Sequence, residues 1–145
     1  MRVLLDANIY ISYLLSPASD TPPMVVVEAA FTGAYTLLAT AGVIAELRDK
    51  TATKPYLANR ITQIQAERLV AIVATIAESV PEINEPLPEV GNDRKDDYLY
   101  AHALVGQANY LVSGDKGVLQ VRRIGDLQLL SPSEFLQVLQ QADLA

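Results

Sequence analysis

The sequence predicts an α/β fold in which a mostly parallel sheet is covered by helices on both faces. Short apolar segments of strand length alternate with longer segments of helical periodicity along the chain. This order is typical of parallel strands joined by helical crossovers. The 145 residues, half of them apolar, are the usual size of one domain with its own core. No repeat or second domain is visible, so one domain is predicted over residues 1–145.

The N-terminal segment is predicted to contain a strand and two helices. Residues 2–5 form a valine and leucine run that suits a buried strand. The next ten residues have apolar side chains at helical spacing. A second helix is predicted to begin near Pro22, with Thr21 as its candidate N-cap, to continue through residues 24–31 and to end at Gly33.

The middle of the chain is predicted to hold a strand, two helices and an extended stretch. Residues 35–39 suit a strand, and Thr40 can cap a helix over residues 41–49. Residues 61–77 have strong helical periodicity with one broad apolar face. That face consists of Ile61, Ile64, Leu69, Ile72, Val73 and Ile76. Residues 79–88 contain three prolines and are predicted to be a short strand or an extended segment.

The last third of the chain is predicted to hold two helices and two strands. Asn92 is a candidate cap for a helix that continues to Val105. Residues 109–113 suit a strand that leads into a glycine-containing turn, and residues 127–130 suit the last strand. Residues 131–134 (Ser-Pro-Ser-Glu) are a strong start for a closing helix.

Composition restricts the function classes. The chain has no cysteine, which excludes disulfides, zinc–thiolate sites and thiol catalysis and fits a cytoplasmic protein. No signal peptide is visible, and the longest uncharged stretch, residues 29–45, is too broken by glycine and threonine to span a bilayer. The net charge of −6 argues against a large basic surface for nucleic acid. A pocket of acids that binds divalent cations would itself contribute to this acidity, so nucleases remain open.

Acidic residues fall where a parallel sheet would bring them together. Asp6 directly follows the first strand, and Asp115 follows the strand at residues 109–113. Ligands of open α/β sheets bind beyond the carboxyl ends of the strands. The remaining candidates lie in the first turns of helices: Glu46, Asp93, Asp96 and Asp97. Clustered carboxylates need a compensating charge, and Mg²⁺ or Mn²⁺ prefers oxygen ligands.

Each acid also has an ordinary structural explanation. Asp6 or Asp115 alone can cap the helix that follows it. Glu46 can lie on a solvated helix face, and acids at a helix start interact favourably with the helix dipole. Helical periodicity does not choose between Asp96 and Asp97. A shared site is therefore predicted only from the combination of these positions at one edge of the sheet.

Four segments carry a resemblance to a known family. They are Val3-Leu4-Leu5-Asp6-Ala7-Asn8, Val43-Ile44-Ala45-Glu46-Leu47, Asp93-Arg94-Lys95-Asp96-Asp97-Tyr98-Leu99 and Tyr110-Leu111-Val112-Ser113-Gly114-Asp115-Lys116. In order and spacing, the chain resembles the PIN domain, especially toxin components of toxin–antitoxin systems related to the VapC toxins. The resemblance implies a Rossmann-like three-layer α/β/α sandwich. It also implies an Mg²⁺- or Mn²⁺-dependent ribonuclease that cleaves single-stranded RNA.

The resemblance also assigns residues. Asp6, Glu46, Asp97 and Asp115 match the four characteristic acids, which implies catalytic and metal-binding roles. Asp97 is preferred to Asp96 because Ala101 provides the small residue expected one turn later. The supporting positions are Asn8 and Ser113, which would orient the acids, Ser12 on the first helix, and Asp93 and Asp96 nearby. Lys116 and Arg48 are candidate contacts for the RNA.

The chain departs from the family pattern at two places. Relatives often have Asp-Pro-Asp-Asp-Asp at residues 93–97, and Asp-Lys-Asp at residues 115–117, where this chain has Gly117. The loss of that last acid puts a second metal position in doubt. The expected partners are the RNA, a cognate antitoxin protein and a second copy of the chain in a homodimer, with no membrane association.

Two other functions remain open from the sequence. One is a catalytically weak PIN module that acts as a binding or assembly domain. The other is an aspartate-based phosphotransfer domain. Phosphatases of that kind carry a second Asp two residues after the nucleophile, and Asn8 stands there in this chain.

Overall fold

A computed structural model of the protein describes residues 1–16, 20–87 and 94–144. The strands are β1 (Arg2–Leu5), β2 (Thr36–Ala39), β3 (Glu78–Ser79), β4 (Tyr110–Val112), β5 (Arg123–Ile124) and β6 (Leu127–Leu130). The helices are α1 (Ala7–Leu15), α2 (Pro22–Phe31), α3 (Ala41–Thr53), α4 (Pro55–Ala58), α5 (Gln63–Ile76), α6 (Arg94–Val105), α7 (Lys116–Leu119) and α8 (Pro132–Leu144). One or more helices separate successive strands, as the sequence predicts, except between β5 and β6.

Within the described residues, the strands form one six-stranded sheet in the order β3-β2-β1-β4-β6-β5. All neighbouring strands are parallel except β5, which pairs antiparallel with β6. Helices flank the sheet in a three-layer α/β/α sandwich, which confirms the predicted fold class. The central strand β1 has no polar face: Val3, Leu4 and Leu5 are all fully buried. A continuous apolar run of this kind is expected where helices cover both faces of a parallel strand.

The strand order reverses at β1, and this reversal positions the candidate site. The chain moves from β1 to β2 on one side, whereas β4 lies on the other side of β1. Leu5 at the end of β1 is in register with Val112 at the end of β4. The segments that begin at Asp6 and Ser113 therefore emerge side by side at the switch point, where α/β folds bind ligands.

Several local elements differ from the sequence-based expectation. Helix α3 continues past residue 49 to Thr53, and Thr51 adapts to the helix by donating its hydroxyl to the Leu47 carbonyl at 2.8 Å. The short helix α4 and strand β5 were not predicted, and the turn after β4 contains the one-turn helix α7. Thr21 takes the N-cap position of α2, but its side chain makes no capping hydrogen bond. The predicted cap Asn92 lies outside the described residues.

The predicted apolar face of the long helix α5 is partly wrong. The residues that α5 buries are Ala66, Leu69, Val70 and Val73. Ile64, Ile72 and Ile76 are instead exposed, Ile64 by 64%. Apolar residues occupy more than one side of this helix, so periodicity alone does not identify the side that faces the core. Within the described parts of the chain, no helix combines the length and apolarity that crossing a membrane requires.

Candidate active site

A polar pocket of about 210 Å³ lies beyond the carboxyl ends of β1 and β4. Its lining consists of Asp6, Asn8, Glu46, Lys50, Lys95, Asp96, Leu99 and Asp115. We call it the carboxylate pocket. Its four acids come from four separate segments of the chain: the ends of β1 and β4 and the first half of α3 and of α6. The fold therefore brings together acids that are up to about a hundred residues apart in sequence.

Asp6 is the most buried acid of the pocket, with 6% of its surface exposed. It is the N-cap of α1, and its Oδ1 accepts a hydrogen bond from the Ala7 backbone N–H at 2.7 Å. Its Oδ2 accepts hydrogen bonds from the Ser113 hydroxyl at 2.8 Å and from Asn8 Nδ2 at 3.2 Å. These contacts hold the carboxylate in one orientation at the pocket wall.

Burial raises the pKa of Asp6 above its ordinary value. The hydrogen bond from Ser113 opposes this rise, while the negative charge of Glu46 adds to it. Burial and a neighbouring carboxylate both disfavour an ionised acid. A positive charge in the pocket would therefore stabilise the ionised form of Asp6.

Asp115 and Asp96 approach each other across Gly117. Asp115 caps α7, and its Oδ1 accepts a hydrogen bond from the Gly117 backbone N–H at 2.8 Å. A Cβ atom at Gly117 would lie 3.2 Å from Asp115 Oδ1 and 3.8 Å from Asp96 Oδ2. The two carboxylates therefore face the same small volume.

Glu46 projects from α3 into the pocket and forms an ion pair with a residue of its own helix. Lys50 lies one turn further along α3, and its Nζ is 3.0 Å from Glu46 Oε1. The pocket thus contains four carboxylates together with the ammonium groups of Lys50 and Lys95. Negative charges outnumber positive ones at this edge of the sheet.

The structure places Asp96 rather than Asp97 in the carboxylate pocket. Successive helical residues point about 100° apart, and Asp96 shares the pocket wall with Leu99, three residues later. Asp97 is 5% exposed and lines a neighbouring cavity of about 150 Å³ with Pro86, Leu87 and Arg94. The placement therefore differs from the preference for Asp97 that was based on Ala101, and the functional assignment of the third acid stays a prediction. Asp93 lies outside the described residues.

A buried tyrosine lies beneath the acids. Tyr100 is fully buried and donates its hydroxyl to the Val118 carbonyl at 2.9 Å. Burial, together with the charges of Asp96, Asp97, Asp115 and Asp6, raises the pKa of Tyr100 to about 12. Three of these acids, Asp6, Asp96 and Asp115, line the carboxylate pocket, and Asp97 lines the neighbouring cavity. The charges on both sides of α6 therefore act on the Tyr100 hydroxyl.

A close contact joins α3 and α6, the helices that carry Glu46 and Asp96. The Gly42 backbone N–H donates to the Tyr98 hydroxyl at 2.8 Å, and that hydroxyl donates to Glu82 at 3.0 Å. The Tyr98 ring stacks on His102 at a centroid distance of 3.8 Å. A side chain at position 42 would overlap this ring, so the two helices approach this closely only because residue 42 is glycine.

A larger groove of about 470 Å³ adjoins the carboxylate pocket. It lies between α3 and α6 and shares Glu46, Lys95 and Leu99 with the pocket. Most of its wall is apolar, with Val43 and Tyr98 among the lining residues and Arg94 at its edge. The groove provides a surface on which an extended ligand can continue from the carboxylates.

Three other residues from the sequence analysis lie outside the pocket lining. Ser12 is half-buried within α1, and Lys116 is exposed at the start of α7. Arg48 makes two hydrogen bonds to Glu67 of α5, at 2.8 and 3.0 Å. Gly42, Tyr98 and Lys50 were not among the residues predicted from the sequence to function, although the four-residue spacing of Glu46 and Lys50 is a recognisable ion-pair signal.

The chemistry of the pocket fits a hard divalent cation in the type of its donors, which are carboxylate oxygens. The side chains as placed are nevertheless arranged around partners from the chain itself. Among residues 1–16, 20–87 and 94–144, no group of three acids or histidines is arranged to hold a metal ion jointly. Ser113 and Asn8 bind Asp6, while Lys50 binds Glu46. The side chains would therefore have to rearrange for the four carboxylates to share a cation.

Comparison with known proteins identifies the family. No curated protein matches the chain at a significant level. A family model described as the PIN domain matches residues 2–117, from β1 to the second residue of α7. This span contains all four acids of the carboxylate pocket and covers most of the sequence. The chain therefore belongs to the PIN domain family, whose fold is of the nuclease type.

Proposed function

We propose that the protein is an endoribonuclease that cleaves single-stranded RNA with the help of Mg²⁺ or Mn²⁺. The observation that carries the proposal is the convergence of Asp6, Glu46, Asp96 and Asp115 on one pocket at the switch point of a PIN domain. PIN domains are generally nucleases, and oxygen-rich pockets of this kind suit hard cations. The proposal takes Asp96 as the third acid and leaves Asp97 a supporting role.

Asp6, Asp96 and Asp115 would hold the cation. When bound, a divalent cation activates water and neutralises charge on the phosphate in the transition state. The chain prepares the ligands: Ser113 and Asn8 fix Asp6, and the Gly117 N–H fixes Asp115. Glu46, which lines the same pocket, would accept a hydrogen bond from the attacking water and so orient it.

The RNA strand would occupy the groove between α3 and α6. This groove opens onto the carboxylate pocket, and Arg94 and Lys95 on its wall provide charges for backbone phosphates. The Tyr98 ring and Val43 provide apolar surface for a base. Steering by a few local cations is compatible with the acidic net charge, because net charge does not describe local distribution.

The test is cleavage of a labelled single-stranded RNA with Mn²⁺, with Mg²⁺ and with EDTA. The wild type should cleave with either metal and not with EDTA. Asp115→Asn should lower the rate by at least about 100-fold, because it removes a ligand rather than an outer contact. Asp126→Asn is the matched control, since Asp126 is an exposed acid in the turn that precedes β6, at the opposite edge of the sheet. Full activity in EDTA or in Asp115→Asn would overturn the proposal.

We also propose that the enzyme is the toxin of a toxin–antitoxin pair, with a homodimer and a small antitoxin protein as partners. The support is the resemblance of the four acid-bearing segments to VapC-related toxins. The exposed isoleucines of α5, Ile64, Ile72 and Ile76, add apolar surface that a partner can cover. Induced expression should arrest bacterial growth for the wild type but not for Asp115→Asn, and equal growth of the two strains would exclude the toxin role.

A binding module without strong catalysis is the second candidate. It is favoured by the Glu46–Lys50 ion pair and by the arrangement of the described acids around partners of the chain itself. This candidate predicts that the protein binds single-stranded RNA equally well with Mn²⁺ and with EDTA and does not cleave it. The cleavage assay above separates the two functions.

A further inference from the structure

Lys50 is the feature of the carboxylate pocket that the proposed function does not use. Its Nζ lies 3.0 Å from Glu46 Oε1, and both residues line the pocket. The Lys50 side chain is 33% exposed and that of Glu46 is 26% exposed. By contrast, the Arg48–Glu67 pair, which also starts from α3, has about half of both side chains exposed. Lys50 is therefore directed inward, with its charged end among the acids.

The surroundings of Lys50 keep its side chain positively charged. Burial lowers the pKa of Lys50, but the hydrogen bond to Glu46 and the charges of Glu46 and Asp6 raise it more, so the net direction is upward. Conversely, the positive charge of Lys50 acts to lower the pKa of Asp6 and so favours the ionised form of that acid. Lys50 thus acts on two acids of the pocket that come from different elements, α3 and the end of β1.

An ammonium group and a divalent cation compete for the same carboxylate oxygens. Glu46 Oε1 cannot donate fully to a metal while it binds Lys50, and two cations in one small pocket repel each other. We propose that Lys50 is a built-in counter-cation of the carboxylate pocket, which engages Glu46 and limits the pocket to one tightly bound divalent cation. This inference depends on the metal-dependent part of the proposed function and adds to it the number of ions and the role of Glu46.

The inference assigns the acids to two groups. Asp6, Asp96 and Asp115 bind the single divalent cation. Glu46 is held by Lys50 at the pocket wall, where its second oxygen can orient water. Lys50 is then a positioning residue that acts through Glu46. When no metal is bound, its positive charge also offsets the repulsion between the carboxylates of the pocket.

The test is Mn²⁺ binding measured by calorimetry for the wild type, Lys50→Gln and Lys50→Arg. The wild type should bind one Mn²⁺ per chain. Lys50→Gln removes the competing charge and should bind Mn²⁺ about tenfold more tightly or bind a second ion. Lys50→Arg keeps the charge and should stay close to the wild type. Lys54→Gln is the matched control, because it makes the same charge change at an exposed lysine beyond the end of α3.

The outcomes separate this inference from the proposed function. Unchanged or weaker Mn²⁺ binding by Lys50→Gln would overturn the inference. It would also be overturned if Lys54→Gln increased the Mn²⁺ affinity equally, or if neither the wild type nor any variant bound Mn²⁺. The cleavage assay with EDTA decides the nuclease proposal independently. Circular dichroism checks folding, and Lys50→Met is a second neutral variant of similar length if Lys50→Gln is poorly folded. In a Glu46→Gln background, Lys50→Gln should tighten binding less, because the ion pair is already lost.

Discussion

Substitution of Gly42 by alanine should destabilise the protein through the contact between α3 and α6. A Cβ atom at position 42 would lie closer than 3 Å to two ring carbons and the hydroxyl oxygen of Tyr98. The ring cannot simply withdraw, because it stacks on His102 and its hydroxyl bonds both Gly42 and Glu82. Overpacking of this kind costs about 1–3 kcal/mol, whereas alanine gains at most about 1 kcal/mol over glycine in a helix. The expected net loss is roughly 1–2 kcal/mol in the free energy of unfolding.

Urea unfolding measures this loss in the free energy of unfolding. Repeating the measurement in a Tyr98→Ala protein tests whether the contact with the Tyr98 ring causes it. In Tyr98→Ala the ring is absent, so adding Gly42→Ala should be neutral or slightly stabilising. RNA cleavage should also fall in Gly42→Ala, because a displaced Tyr98 moves Asp96 on α6 relative to Glu46 on α3. Wild-type stability of Gly42→Ala, or the same loss in both backgrounds, would refute the reasoning.

Three further predictions concern buried polar groups. Ser113→Ala removes the 2.8 Å hydrogen bond to Asp6, so urea unfolding should show a loss of about 1–3 kcal/mol, and exposed Ser133→Ala should show none. Burial raises the pKa of Asp6, so in EDTA the wild type should lose stability relative to Asp6→Asn as pH rises above the ordinary aspartate pKa of about 4. A stability difference between the two proteins that does not change with pH would contradict a raised pKa of Asp6. His102 is fully buried and its Nε2 accepts the Ile83 N–H at 3.2 Å. His102→Leu should therefore make residues 80–87 more susceptible to proteolysis. An unchanged proteolytic pattern would contradict the role of His102 in holding this segment.

The sequence was sufficient to predict the fold because its local signals agree with the tertiary arrangement. Residues 3–5 are apolar without alternation and fully buried, as expected for a strand that helices cover on both faces. Strand β5 carries no such signal: Arg123 and Ile124 form only two pairs with β6, and Gly125 at a φ of +59° makes the turn between them. An element this short is determined by its neighbour rather than by its own composition.

The composition of the site was predictable, but its detailed geometry was not. Asp6 and Asp115 were placed correctly at one edge because strand ends in a parallel sheet share that edge. The choice between Asp96 and Asp97 depends on how α6 is rotated against the sheet. The contact of Tyr98 with Gly42 helps to set that rotation, and it joins residues 56 positions apart. Local periodicity does not contain information about such a contact.

The most direct test of the account compares Asp96→Asn with Asp97→Asn in Mn²⁺ binding and in cleavage of single-stranded RNA. The proposed function requires one metal-dependent site that consists of the four acids of the carboxylate pocket, Asp6, Glu46, Asp96 and Asp115. Asp96→Asn should therefore weaken Mn²⁺ binding and lower cleavage by at least about 100-fold. Asp97→Asn, whose side chain lines the neighbouring cavity, should retain cleavage within about tenfold of the wild type. Retained activity in Asp96→Asn together with its loss in a folded Asp97→Asn would contradict the account.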